Sequence, residues 1–110
     1  MEEWYSQLRR GVLEYCILAL IAQEPRYGYE IVTRLGEAPQ LAAGEGTIYP
    51  LLRRLKKDGW LETYWQESSG GPPRQYYKLT APGHESLSGM SQEWQQVVAA
   101  VNKLTGGNES

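Results

Sequence analysis

Apolar and polar positions divide the chain into four helix-like segments, with two strand-like segments between the third and the fourth. In "SQLRRGVLEYCILALIAQ", residues 6–23, Leu8, Val12, Tyr15 or Cys16, and Ala19 recur at helical spacing, and Leu13, Ile17, Leu20 and Ile21 widen the stripe. So broad an apolar face implies burial against more than one neighbour. Pro25 ends this helix, because proline lacks an amide donor and disfavours helical geometry in the residue before it. A second helix is predicted from about Gly28 to Gly36, with Ile31, Val32 and Leu35 facing inward and Gly36 and Pro39 closing it. The third lies in "GTIYPLLRRLKKDGWL", residues 46–61, where Ile48, Leu51, Leu52 and Leu55 follow i, i+3, i+4, i+7. With Gly46 or Thr47 as N-cap, Pro50 falls in the first turn, where a missing N–H costs little, and Gly59 supplies a left-handed C-terminal cap.

Alternation takes over at Trp60. Leu61, Thr63 and Trp65 alternate with Trp60, Glu62 and Tyr64 over 60–66, and Tyr77 and Leu79 share a face over 74–80. The connector "ESSGGPP", residues 67–73, makes the pair a β-hairpin with a protruding tip. From Thr80, which caps it, the chain turns helical again, and Pro82 is tolerable near the start. There Leu87, Met90, Trp94, Val97, Val101 and Leu104 are spaced 3, 4, 3, 4, 3, the seam of a short coiled coil. So narrow a seam, after a complete small domain, predicts packing on a partner chain. The fold class is therefore mainly α with a small β-hairpin (α+β). Residues 1–80 form a winged helix-turn-helix with its N-terminal helix, 81–105 a dimerisation helix, and 106–110 a frayed tail.

Charge sharpens this picture. The formal net charge is −2, yet residues 46–78 hold Arg53, Arg54, Lys56, Lys57, Arg74 and Lys78 against Asp58, Glu62 and Glu67. The middle of the chain is locally basic, as a surface for a polyanion must be. Some of that charge has a plainer reading: Arg54 and Asp58, at i and i+4, form a surface ion pair. Of Tyr76 and Tyr77, alternation puts one in the core and one at the surface. The longest apolar run, residues 15–22, is well short of the ~20 needed to cross a bilayer, and no signal-type cleavage site is convincingly placed. No membrane role is predicted. The single Cys16 cannot form an internal disulfide and reads as a small core hydrophobe in a reducing, cytoplasmic protein. His84, the only histidine, has no second ligand near it, so no metal or cofactor is expected. With no nucleophile, base and orienter and no phosphate loop, the chain does not read as an enzyme.

Three stretches in order, "RYGYEI", "GTIYPLLRRLKKDGWLE" and "GGPPRQYYKLTAPG", resemble the PadR family of bacterial transcriptional regulators, and the likeness extends over roughly residues 8–104. The single closing helix is similar to that of its short members. The resemblance implies a homodimeric repressor that binds an inverted-repeat operator in double-stranded DNA. Its subunit interface would involve Leu8, Val12, Leu87, Met90, Trp94, Val97, Val101 and Leu104. Carried over by position, Thr47, Tyr49, Pro50 and Arg53 face base edges or the groove wall, and Arg53 is suited to bidentate hydrogen bonds with guanine or phosphate. Tyr27 and Gly28 approach the DNA backbone, Gly71, Pro72 and Arg74 form the wing contact, and Lys57, with Lys56, adds general attraction. Trp94 has two readings. It is either a large residue of the dimer seam or, as in short family members that bind flat aromatic or hydrophobic effectors between subunits, the wall of a ligand slot. The acidic overall balance leaves room for an alternative, a winged protein-interaction module that does not read DNA.

Overall fold

The computed structural model describes residues 2–107. Its elements are α1 (Glu2–Gln23), β1 (Arg26–Tyr27), α2 (Gly28–Gly36), a 3-10 turn (Pro39–Leu41), α3 (Glu45–Lys57), β2 (Leu61–Ser68), β3 (Gly71–Leu79) and α4 (Ala81–Thr105). The wide stripe of α1 puts Leu13, Ile17, Leu18 and Ile21 at the centre. They meet Ile31 and Leu35 of α2, Ile48, Leu52 and Leu55 of α3, and Leu61 and Leu79 at the base of the hairpin. The three α3 residues are fully sealed, so truncating any one to Ala costs on the order of 2–5 kcal/mol. Cys16 is half-buried at the edge of this core, and burial pushes its thiol pKa up, as befits a small hydrophobe.

Helix α1 begins at Glu2, not at residue 6. No breaker precedes Ser6, and Glu2 and Glu3 suit the positive end of the helix dipole. The extra turn has a use: the Tyr5 hydroxyl donates to the Gln40 carbonyl, and Arg9 Nη1 donates to the Ala42 carbonyl at 2.9 Å. These bonds hold the connector between α2 and α3. At the other end, Arg26 is only 3% exposed and fully engaged. It donates to the Leu20 carbonyl (2.8 Å), Gln23 Oε1 (2.8 Å) and Glu30 Oε2 (3.3 Å), tying the end of α1 to the start of α2. Arg26 and Tyr27 also form a third strand, pairing with Tyr77 and Tyr76, so the sheet order is β1-β3-β2.

The N-cap of α3 is Gly44, which overturns the expectation of Gly46 or Thr47. The Gly44 carbonyl accepts from the amides of Thr47 and Ile48, both at 3.0 Å. Pro50 therefore sits inside the helix, and the Gly46 carbonyl loses its i+4 amide partner. Gly46 is exposed, so water can take that amide's place. At the other end Gly59 has φ 85°, with Gly59 N–H bonded to Lys56 O and Trp60 N–H to Leu55 O, the paired bonds of a left-handed cap.

The hairpin strands run further than alternation suggested, leaving only Ser69 and Gly70 (φ 73°) in the turn. Pro72 and Pro73 lie within β3. The register slips there, from Gln66 opposite Arg74 to Ser68 opposite Gly71, so the two prolines oppose only Glu67. Such a bulge tolerates residues that cannot donate to the ladder. Thr80 caps α4, its hydroxyl accepting from the Gly83 amide at 3.0 Å, and Gly106 closes the helix at φ 69°. Leu87 and Met90 pack on the core, whereas Trp94, Val97, Val101 and Leu104 are exposed along the rest of the seam. Of the expected tail, residues 108–110 lie outside the described residues. The architecture is a winged helix-turn-helix, α2 and α3 forming the turn motif and β2–β3 the wing.

Candidate nucleic-acid interface

With Ile48, Leu52 and Leu55 turned to the core, the 3.6-residue repeat sets the rest of α3 around the cylinder. Gly46, Pro50, Arg53 and Lys57 form its outermost line. Tyr49 and Lys56 lie on the flank toward the wing, Thr47 and Arg54 on the flank toward α1. All are exposed except Tyr49, which is half-buried.

Between α2, α3 and the wing lies a groove of about 450 Å³, lined by Tyr27, Gly28, Tyr29, Tyr49, Arg53, Trp65, Arg74, Gln75 and Tyr77. Its only charged lining residues are Arg53 and Arg74. The Arg74 guanidinium sits 4.5 Å from the centroid of the Tyr27 ring, a cation–π contact that holds it at the start of α2. Tyr27 in turn meets Tyr76 edge-on at 5.4 Å, and Tyr76 stacks on Tyr64 at 5.7 Å, so the contact is anchored across all three strands. Tyr77 packs against the core, as alternation expects of one of the adjacent tyrosines. No side chain caps α2 at Tyr27, so the partial positive charge of its first-turn amides adds to the two guanidiniums.

Gly28 has a steric role that the sequence did not disclose. A Cβ there would lie 2.5 Å from Cε1 of Tyr49, so the glycine is the seat of the tyrosine ring. Burial, and then the negative charge of Glu45, push the Tyr49 phenol pKa up. Burial also raises that of Tyr77, against a smaller opposing effect of Arg53. Both hydroxyls stay protonated at neutral pH and can donate to an anion.

Thr47 and Pro50 line a second groove, of about 440 Å³, between α3 and α1, together with Ser6, Arg9, Arg10, Leu13, Leu51 and Arg54. Arg54 is engaged there: it pairs with Glu14 of α1 and, at 4.0 Å, with Asp58. Lys57 and the wing-tip residues Gly71 and Pro72 lie outside both grooves and are exposed. The tip is braced by Ser68 Oγ donating to the Pro72 carbonyl at 2.6 Å. Five expected residues, Tyr27, Gly28, Tyr49, Arg53 and Arg74, thus converge in one groove. Tyr29, Trp65 and Gln75 join them unforeseen.

On the opposite side, Trp94 stands 6.2 Å from the Tyr15 ring, centroid to centroid. A hollow of about 430 Å³ lies there, lined by Gly11, Val12, Glu14, Tyr15, Met90, Glu93, Trp94 and Val97. Trp4 and Leu8 extend the exposed apolar surface along α1. Among the described residues no helix is long and apolar enough to cross a membrane, and no His, Cys, Asp and Glu side chains gather into a metal site.

Residues 17–89 match the Transcriptional regulator PadR-like family. An uncharacterized protein of Lysinibacillus sphaericus is 34% identical over 106 residues, covering 94% of this chain and 97% of its own. The crystal structure of a PadR-like transcriptional regulator from Bacillus cereus superposes with a TM-score of 0.84 at 44% identity, over 93% of this chain and 99% of that one. A Streptococcus transcriptional regulator gives 0.83 at 41% identity, over 90% and 97%.

Proposed function

Because the chain belongs to the PadR-like family, and is accordingly a DNA-binding transcriptional regulator and not an enzyme, we propose that it acts as a homodimeric repressor on an inverted-repeat operator. The observation that carries this reading is the groove where Arg53 of α3 and Arg74 of the wing converge with no acidic side chain in its lining. In this reading the line Gly46, Pro50, Arg53 and Lys57 enters the major groove. Arg53 makes bidentate bonds to guanine or phosphate. The Tyr49 hydroxyl donates to a phosphate, and Arg74, with Gly71 and Pro72 at the wing tip, reaches the flanking backbone. Thr47, from the α1 side, borders the same strand. Tyr27 and Gly28 bring the N-terminus of α2 to a further phosphate.

The exposed seam of Trp94, Val97, Val101 and Leu104, with Leu8 beside it, supports pairing with a second copy. Val12, Leu87 and Met90 form the inner margin of that seam. The hollow between Tyr15 and Trp94 supports a flat aromatic or hydrophobic effector held at the subunit interface. Such a compound releases the operator only if it favours one spacing of the two recognition helices over the other. The protein works in the cytoplasm, on the chromosome.

Arg53 and Arg74 are the groove's charges, whereas Arg54 is already held by Glu14 and Asp58. Arg53→Ala is therefore expected to weaken operator binding by about 1–3 kcal/mol, and Arg54→Ala by far less. Titration of both variants with a labelled operator measures this. Equal losses would remove Arg53 from the base-reading role. Absence of Trp94 fluorescence quenching by planar aromatics would end the effector part alone.

A further inference from the structure

Trp65 is 67% exposed, yet it stands on the face of β2 that should be buried. Across the ladder Leu61 faces Leu79, Thr63 faces Tyr77 and Trp65 faces Gln75, so all three β2 residues point to the helix side of the sheet. Leu61 and Leu79 are sealed, Tyr77 is half-buried, and at Trp65 the sheet has outrun the helices beneath it. The indole lines the same groove as Arg53 and Arg74.

An exposed indole in a groove whose two charged lining residues are both cations fits one kind of cover: a surface that is apolar and anionic in alternation. The sugar–phosphate backbone of DNA is such a surface. We infer that Trp65 packs its indole against deoxyribose of the strand whose phosphates meet Arg53 and Arg74, making the wing contact partly apolar. This rests on the reading of the groove as the DNA interface. It has a thermodynamic mark of its own, since an apolar contact displaces no counterions and an arginine–phosphate contact does.

The probe is the duplex most enriched by the protein from random-sequence DNA. Trp65→Ala is expected to bind it about tenfold more weakly, with an unchanged slope of log affinity against log salt. Arg74→Ala is expected to reduce that slope by about one. In protein labelled with 5-fluorotryptophan, the fluorine resonance that Trp65→Phe removes is expected to shift when the duplex is added and to lose its sensitivity to solvent deuterium. Thermal melting of Trp65→Ala checks that the fold is intact. A Trp65→Ala affinity within about twofold of the parent, a changed salt slope, or an unmoved Trp65 resonance while the parent binds overturns the inference and leaves the DNA reading standing. Failure of the unsubstituted protein to bind any duplex overturns the DNA reading, and the inference with it.

Discussion

Replacing Gly28 with Ala separates the function of the groove from the stability of the fold. The new Cβ would lie 2.5 Å from Cε1 and 3.3 Å from Cδ1 of Tyr49. The ring must retreat by about 1 Å to reach ordinary contact distance. It can do so, because the clash is with the far end of a side chain and not with backbone. Gly28 is the first residue of α2, after the N-cap Tyr27, so the interior penalty for glycine does not apply and helix propensity changes little either way. The expected melting temperature is therefore within a few degrees of the parent. DNA binding has no such tolerance. A hydrogen bond from the Tyr49 hydroxyl to phosphate lengthened by ~1 Å is no longer a bond, and charge-assisted bonds are worth roughly 1.5–3 kcal/mol. Affinity for the selected operator is expected to fall roughly 10- to 100-fold, measured by fluorescence anisotropy beside a thermal melt of the same sample. A protein that loses several degrees of stability while keeping its affinity would refute the reasoning. Gly28 would then serve packing, and Tyr49 would not touch DNA.

Gly83 offers the opposite case, because its Cβ would sit 2.1 Å from the Trp60 carbonyl oxygen, which is backbone. Gly83→Ala is expected to cost about 1–3 kcal/mol and to lower the melting temperature by several degrees, through loss of the close seat of α4 on the start of the wing. The raised Tyr49 pKa means that its hydroxyl keeps its proton beyond the usual value near 10, so operator affinity is expected to stay level from pH 7 to about 9. A fall in affinity centred within that range would contradict a proton-bearing Tyr49 hydroxyl at the interface. Deleting the apolar face with Val97→Asp and Val101→Asp together is expected to leave the fold intact, since both side chains are about half exposed, and to convert the protein to monomers in sedimentation. An unchanged association state would place the subunit contact elsewhere.

The order of helices and hairpin was legible because each long element carries its own period. The α1 stripe, the Ile48–Leu55 face and the Leu87–Leu104 seam all register over several turns. What escaped had no period to read. Two residues, Arg26 and Tyr27, make a strand only because Tyr76 and Tyr77 lie beside them. The start of α3 was misplaced because Pro50, read as a first-turn residue, drew the cap to Gly46 or Thr47. The hydrogen bonds to the Gly44 carbonyl decide otherwise, and the interior proline is tolerated at an exposed carbonyl. The candidate groove is non-local in the same way. Tyr27 and Gly28, Tyr49 and Arg53, and Arg74 come from three separate segments, and resemblance to a family named them where spacing alone could not. Trp65 was missed because alternation only set it on one face with Leu61 and Thr63, and only the fold shows that the core beneath that face ends short of it.

The central claim, a dimer that reads DNA through α3 and the wing, is tested most directly by selecting bound sequences from random duplex DNA with the purified protein at near-physiological salt. The account predicts enrichment of an inverted repeat whose half-site centres lie on the order of 10 base pairs apart, or a multiple of that. A folded, dimeric protein that enriches no sequence would contradict it.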